Sequence, residues 1–184
     1  MNSSRGKHFQ ITGLPRCGTA FLSVLFSLEP DCLGIHELGA GDLEWKKTLE
    51  KLLRKHRYVA DCCTYGFTRG AQDPEAIRVY IQKDPEQSRL RCIERFGYDL
   101  DADAFHSLRV FADAWARDCG ALQVSYTQLF NLDVLAQIWD HCFDGERLFP
   151  EEKASRLVTM NIQRQNPEKV FTIANGLRLA GEVF

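Results

Sequence analysis

Apolar positions along the chain switch between two periods. Residues 9–12 (FQIT) are a short β-type run that enters a loop holding Gly13, Pro15, Arg16 and Gly18, and an apolar helical pattern follows at once. Pro30-Asp31 ends that helix, and Cys32 to Ile35 predicts a second strand closing on His36-Glu37. Within residues 43–54, Leu49, Leu52 and Leu53 recur at helical spacing, with Asp42 as candidate N-cap after Gly39-Ala40-Gly41. Tyr58 to Cys62 predicts a third strand, residues 64–76 read as loop, and Ile77 to Ile81 is the clearest buried strand. Asp84 then offers a cap, Pro85 a first helical position and Gln87 the residue three beyond the cap, which predicts a helix over 85–96. Further helices are expected over 102–119, 129–143 and 151–161, with a last strand over 122–125, while residues 167–184 follow no single pattern.

Strands alternating with helices imply an α/β fold of three layers, a parallel sheet with helices on both faces. The 184 residues fit a single domain over 1–184, with 1–7 expected to be disordered, and neither repeat nor linker divides it. In such a sheet, ligands sit beyond the carboxyl ends of the strands. This order brings Arg16, His36, Glu37, Asp61 and Lys83 toward one rim.

Composition narrows the partners. The chain is 45% apolar and 26% charged, ordinary values for a soluble globular protein. Its 23 basic and 25 acidic side chains give a formal charge of −2, which argues against nucleic acid as a partner and favours a small anion in a pocket. The segment MNSSRGKHF has no apolar signal core and no run reaches membrane-span length, so no membrane partner is expected. Seven cysteines without a Cys-x-x-Cys, mostly in apolar runs, read as reduced structural thiols of a cytoplasmic protein. His56, His106 and His141 lack metal-ligand spacing, and no metal is expected. Trp45, Trp115 and Trp139 are expected in the core or at its edges.

The loop carries the chemistry. A glycine-containing turn ahead of a helix directs backbone N–H groups and the positive helix end to one point, where phosphate or sulfate fits. Arg16 adds a planar, forked cation matched to those oxygens. The plainer alternative is a crossover whose glycines only permit tight turning. The Walker pattern ends in Gly-Lys-Ser/Thr; here the charge precedes the glycine as Arg16 and no lysine follows Gly18, which disfavours ATP or GTP hydrolysis.

The segment GLPRCGTAFL resembles the 5′-phosphosulfate loop of sulfotransferases that use 3′-phosphoadenosine 5′-phosphosulfate (PAPS), with Cys17 in place of the usual serine and Ala20 in place of the second threonine. Residues 77–97, IRVYIQKDPEQSRLRCIERFG, resemble the family's 3′-phosphate motif, with Lys83 at the arginine position and Arg91 at the serine position. Residues 120–143 echo a third segment, in which Tyr126 and Leu129 match. Glu37 stands 21 residues after Arg16, the distance at which related enzymes carry their catalytic base, and Pro30 falls at the shared proline position between them. The family's lysine after the third strand is missing, replaced by Cys62-Cys63-Thr64.

Over roughly residues 8–143 the resemblance implies a P-loop sulfotransferase-like fold and transfer of a sulfonate from PAPS to a hydroxyl or amine acceptor. Arg16 with the backbone of Cys17, Gly18, Thr19 and Ala20 would hold the 5′-phosphosulfate, and Lys83, Ser88 and Arg91 the 3′-phosphate. Glu37 would be the base, with His36 as the alternative. Three other readings stay open: a solvated helix face for Arg89, Arg91 and Arg95, a sulfotransferase-like module without turnover, and a kinase-like phosphotransferase. The acceptor and the oligomeric state are not legible.

Overall fold

The computed structural model describes residues 5–38, 45–69, 73–97 and 99–160. Among these residues five strands, β1 (Lys7–Gly13), β2 (Cys32–His36), β3 (Tyr58–Thr64), β4 (Ile77–Gln82) and β5 (Leu122–Ser125), form one sheet in the order β2-β3-β1-β4-β5. Every pairing is parallel, and Phe9 of β1 stands between Ala60 of β3 and Ile77 of β4. Among the described residues the α-helices are α1 (Thr19–Phe26), α2 (Trp45–Leu53), α3 (Pro85–Phe96), α4 (Ala102–Asp118), α5 (Leu132–Phe143) and α6 (Glu151–Thr159).

Side-chain alternation divides each strand between two cores. Phe9 and Ile11 of β1, Tyr58 and Ala60 of β3 and Val79 and Ile81 of β4 pack with α1, α5 and α6. On the opposite face Tyr80 meets Ala112, Trp115 and Ala116 of α4, while Val59 meets Leu49 and Leu53 of α2. The three layers expected from the alternation are therefore present. β1 lies at the centre of the sheet and is buried at every position after Lys7, which is why its sequence lacks a polar face. All eight residues of α1 are buried, since this helix lies between the sheet and α5. All three tryptophans are buried.

Several boundaries differ from the sequence reading. Residues 5–7, expected to be disordered, belong to the ordered chain: Arg5 pairs with Asp73 and Glu75, and Lys7 pairs with Tyr58 in the sheet. The third strand extends to Thr64, and a 3₁₀ turn (Gly66–Arg69) occupies the expected loop. The helix expected from Leu129 begins at Leu132, because the Asn131 side chain accepts the Asp133 N–H and a 3₁₀ turn over Tyr126–Gln128 precedes it. Asp84 caps α3 as expected, accepting the Gln87 N–H at 2.8 Å with Pro85 in the first turn. Asp42 and residues 167–184 lie outside the described residues. All seven cysteines are free thiols, and among the described residues no helix is long and apolar enough to cross a membrane.

Candidate functional site

The strand order creates a crevice. The connection after β1 runs toward the β2 edge and that after β4 toward the β5 edge, so the loops beyond these adjacent strands diverge. Arg16 and Lys83 stand on its two sides. Three residues other than glycine adopt the left-handed conformation at the ends of the three neighbouring strands: Arg16 after β1 (φ 65°), Glu37 after β2 (φ 60°) and Tyr65 after β3 (φ 62°). Such conformations cost about 1 kcal/mol or more each and gather where function requires a particular backbone path.

The loop between β1 and α1 is tightly specified. Gly18 takes φ 96° at the helix N-cap, and a Cβ there would stand 2.5 Å from Leu129 Cδ2, so only glycine fits. No side-chain hydrogen bond caps α1 at Gly18, the kind of helix start at which backbone N–H groups bind anions. Cys17 is fully buried with its thiol pushed up to about 12 by burial, and its sulfur packs toward Gly13. It offers the loop a backbone N–H and no reactive thiolate.

Lys83 and Ser88 hold this loop from beneath. Lys83 Nζ donates to the Arg16 carbonyl at 2.7 Å, and Ser88 Oγ donates to the Pro15 carbonyl. Both side chains are buried. The Lys83 ammonium also lies 4.2 Å from the centre of the Tyr126 ring, a cation–π contact. Burial, and then the fields of Arg16 and Arg91, push Lys83 down to about 8. Arg16 is likewise lowered, by burial first and then by Arg95. Arg16, Lys83, Arg91 and Arg95 thus place positive charge around one loop, an environment in which an anion relieves mutual repulsion. Arg91 itself is exposed and pairs with Glu94 at 2.6 Å, a contact weak enough to exchange for another anion.

Across the rim, Glu37 is fixed from two sides. Its carboxylate accepts hydrogen bonds from the Thr64 N–H at 3.0 Å, the Thr64 hydroxyl and the Cys63 thiol at 3.3 Å. His36 Nε2 lies 3.4 Å from Glu37 Oε1 and 3.2 Å from Thr19 Oγ1. A continuous polar chain therefore runs from the first residue of α1 through His36 to Glu37 and Thr64.

Of the residues expected at the site, Arg16, Cys17, Gly18, Thr19, Lys83 and Ser88 share the loop and its supports, and His36 and Glu37 join it through Thr19. Ala20 is buried in the first turn of α1, and Arg91 acts on Lys83 only through its field. Four contributors are named in the sequence reading without a role at this site. Cys63 and Thr64 hold Glu37 because β2 and β3 are neighbours, a fact no local pattern carries. Tyr126 reaches Lys83 from the end of β5. Arg95 follows Arg91 at i+4 on α3, and that spacing was the available signal.

Comparison of the chain with protein-family models, curated proteins and solved structures returns no match.

Proposed function

We propose that the protein is a PAPS-dependent sulfotransferase with a P-loop nucleotide-kinase-like fold, acting on a hydroxyl or amine acceptor. What carries the reading is one juxtaposition: a backbone anion loop ringed by Arg16, Lys83, Arg91 and Arg95, linked through Thr19 and His36 to a carboxylate held at the next strand ends. The sulfonate and phosphates of PAPS are polyanionic, and the loop's cations and N–H groups fit them.

PAPS supplies the activated sulfonate as co-substrate. In the transfer, the sulfur–oxygen bond to the 5′-phosphate breaks as a bond from sulfur to the acceptor oxygen or nitrogen forms. In this reading Arg16 and the N–H groups of residues 17–20 stabilise the charge that develops on the departing phosphate. Glu37 takes the acceptor's proton, and His36 stands between it and Thr19 as a second proton acceptor. The hydrogen bonds from Thr64 and Cys63 orient the carboxylate for that role. Free thiols throughout accord with a cytoplasmic setting.

A second reading, a nucleotide-binding module without turnover, draws on the fact that Lys83 Nζ and Ser88 Oγ already serve loop carbonyls. Calorimetry without magnesium separates the possibilities. Adenosine 3′,5′-bisphosphate is expected to bind at least about tenfold tighter than AMP, and Arg16→Ala to abolish that preference. Equal binding of the two nucleotides, or preference for ATP with magnesium, overturns the reading. Transfer of labelled sulfonate to an acceptor panel, lost in Glu37→Gln while bisphosphate binding persists, separates the enzyme from the module.

A further inference from the structure

A second pocket lies at the other end of β4. It has a volume of about 420 Å³ between α4 and the start of β4, with Pro74, Phe111, Ala114 and Trp115 as its apolar walls. That is the lower part of the range in which small-molecule sites fall. Arg78, which lines it, lies five positions before Lys83 along extended chain, about 16 Å, so this pocket is distinct from the anion loop.

Arg78 is the unusual group. It is only 8% exposed, and its Nη1 and Nη2 donate to the backbone carbonyls of Ala76 and Asp73 at 3.0 and 2.5 Å. Among the described residues no carboxylate pairs with its guanidinium, and its buried Nε has no hydrogen-bond partner. The indole of Trp115, 8% exposed, lines the same pocket, and its buried Nε1 also lacks a partner. A buried cation without a counterion costs several kcal/mol unless something supplies one. Against apolar walls, a carboxylate does so.

We propose that this pocket binds a small organic acid, a carboxylate joined to an aromatic or branched apolar body. The carboxylate pairs with the Arg78 guanidinium in the pocket wall, and the body lies against Trp115, Phe111 and Ala114. Phe111, 54% exposed, is the wall such a body covers. Asp118 lies at the exposed rim, where solvent screens its charge. Cys119 also lines the pocket and is the one cysteine that is not buried, so its thiol reports occupancy.

The test uses phenylacetate, 3-phenylpropionate and indole-3-acetate against their primary amides, titrated into the full chain by calorimetry. At least one acid is expected to bind saturably and about tenfold tighter than its own amide, reflecting the charge-assisted bond. The same acid is expected to slow alkylation of Cys119 by iodoacetamide. Arg78→Met and Ala114→Leu each abolish the binding, whereas Arg16→Ala retains it. Ala114 is half-buried, so its leucine variant fills the pocket with little demand on the core and carries the test if Arg78→Met does not fold. Amides binding as well as acids, no acid binding up to about 10 mM, or undiminished binding to Ala114→Leu overturns the proposal.

Discussion

Lys83 meets two demands with one ammonium group. It ties down the Arg16 carbonyl and contributes charge to the anion loop, and burial keeps it near the pH at which that charge is lost. Its folded value of about 8 lies below the ordinary 10.5, so between these limits the unfolded chain binds more protons than the folded one. Lys83 therefore disfavours folding below about pH 8, and this penalty is relieved as pH rises through the window. Anion affinity runs the other way. Binding of adenosine 3′,5′-bisphosphate is expected to weaken roughly three- to tenfold over the two pH units above 8, with Lys83→Met giving lower and flatter affinity in calorimetry across the same range. An affinity independent of pH in the wild type would separate Lys83 from the ligand. At this scale the sequence was informative about which residue types stand at strand ends. It said nothing of the Lys83–Tyr126 contact, because Tyr126 follows directly on a strand, β5, that is laid beside β4 only by folding.

Elements were legible where their signals are local. Asp84, Pro85 and Gln87 announce α3 within four residues, and the structure uses them as a cap and first turn. The start of α5 was misread by three residues, since apolar Leu129 fits a helical period while Asn131 supplies the actual cap. The approach of α1 to β2 was not legible at all. A Cβ on Gly34 would stand 1.9 Å from the Ser23 carbonyl oxygen, so this strand residue is a glycine to let the helix backbone lie against it. Gly34→Ala is expected to destabilise the fold by about 1–3 kcal/mol, read as a lower urea midpoint at unchanged slope. Because α1 carries the anion loop at its other end, the same variant is expected to weaken bisphosphate binding.

Across the whole molecule, Asp73 joins segments far apart in the chain. Its carboxylate receives Arg5 at 2.7 Å and His8 at 2.9 Å, and its carbonyl receives Arg78. The His8 and Arg5 contacts hold the Asp73 carboxyl well below the ordinary 3.8, so its contribution is complete above that value and is lost as pH falls toward the folded one. Asp73→Asn is expected to cost about 2 kcal/mol near neutrality. Urea unfolding at about pH 6 and pH 3 checks the sign: the variant should lose less stability on acidification than the wild type. The sequence by itself determined the alternation of strands and helices, the glycine loop at the first turn and the delivery of Arg16, His36, Glu37 and Lys83 to one edge. These follow from periodicity, caps and the rule that parallel strands point one way. Only the tertiary structure decided that β3 lies between β2 and β1, placing Thr64 and Cys63 on Glu37, and that Arg78 is buried without a counterion. Lateral strand order and burial depend on how all the apolar faces are covered together, a condition that no local stretch of residues encodes.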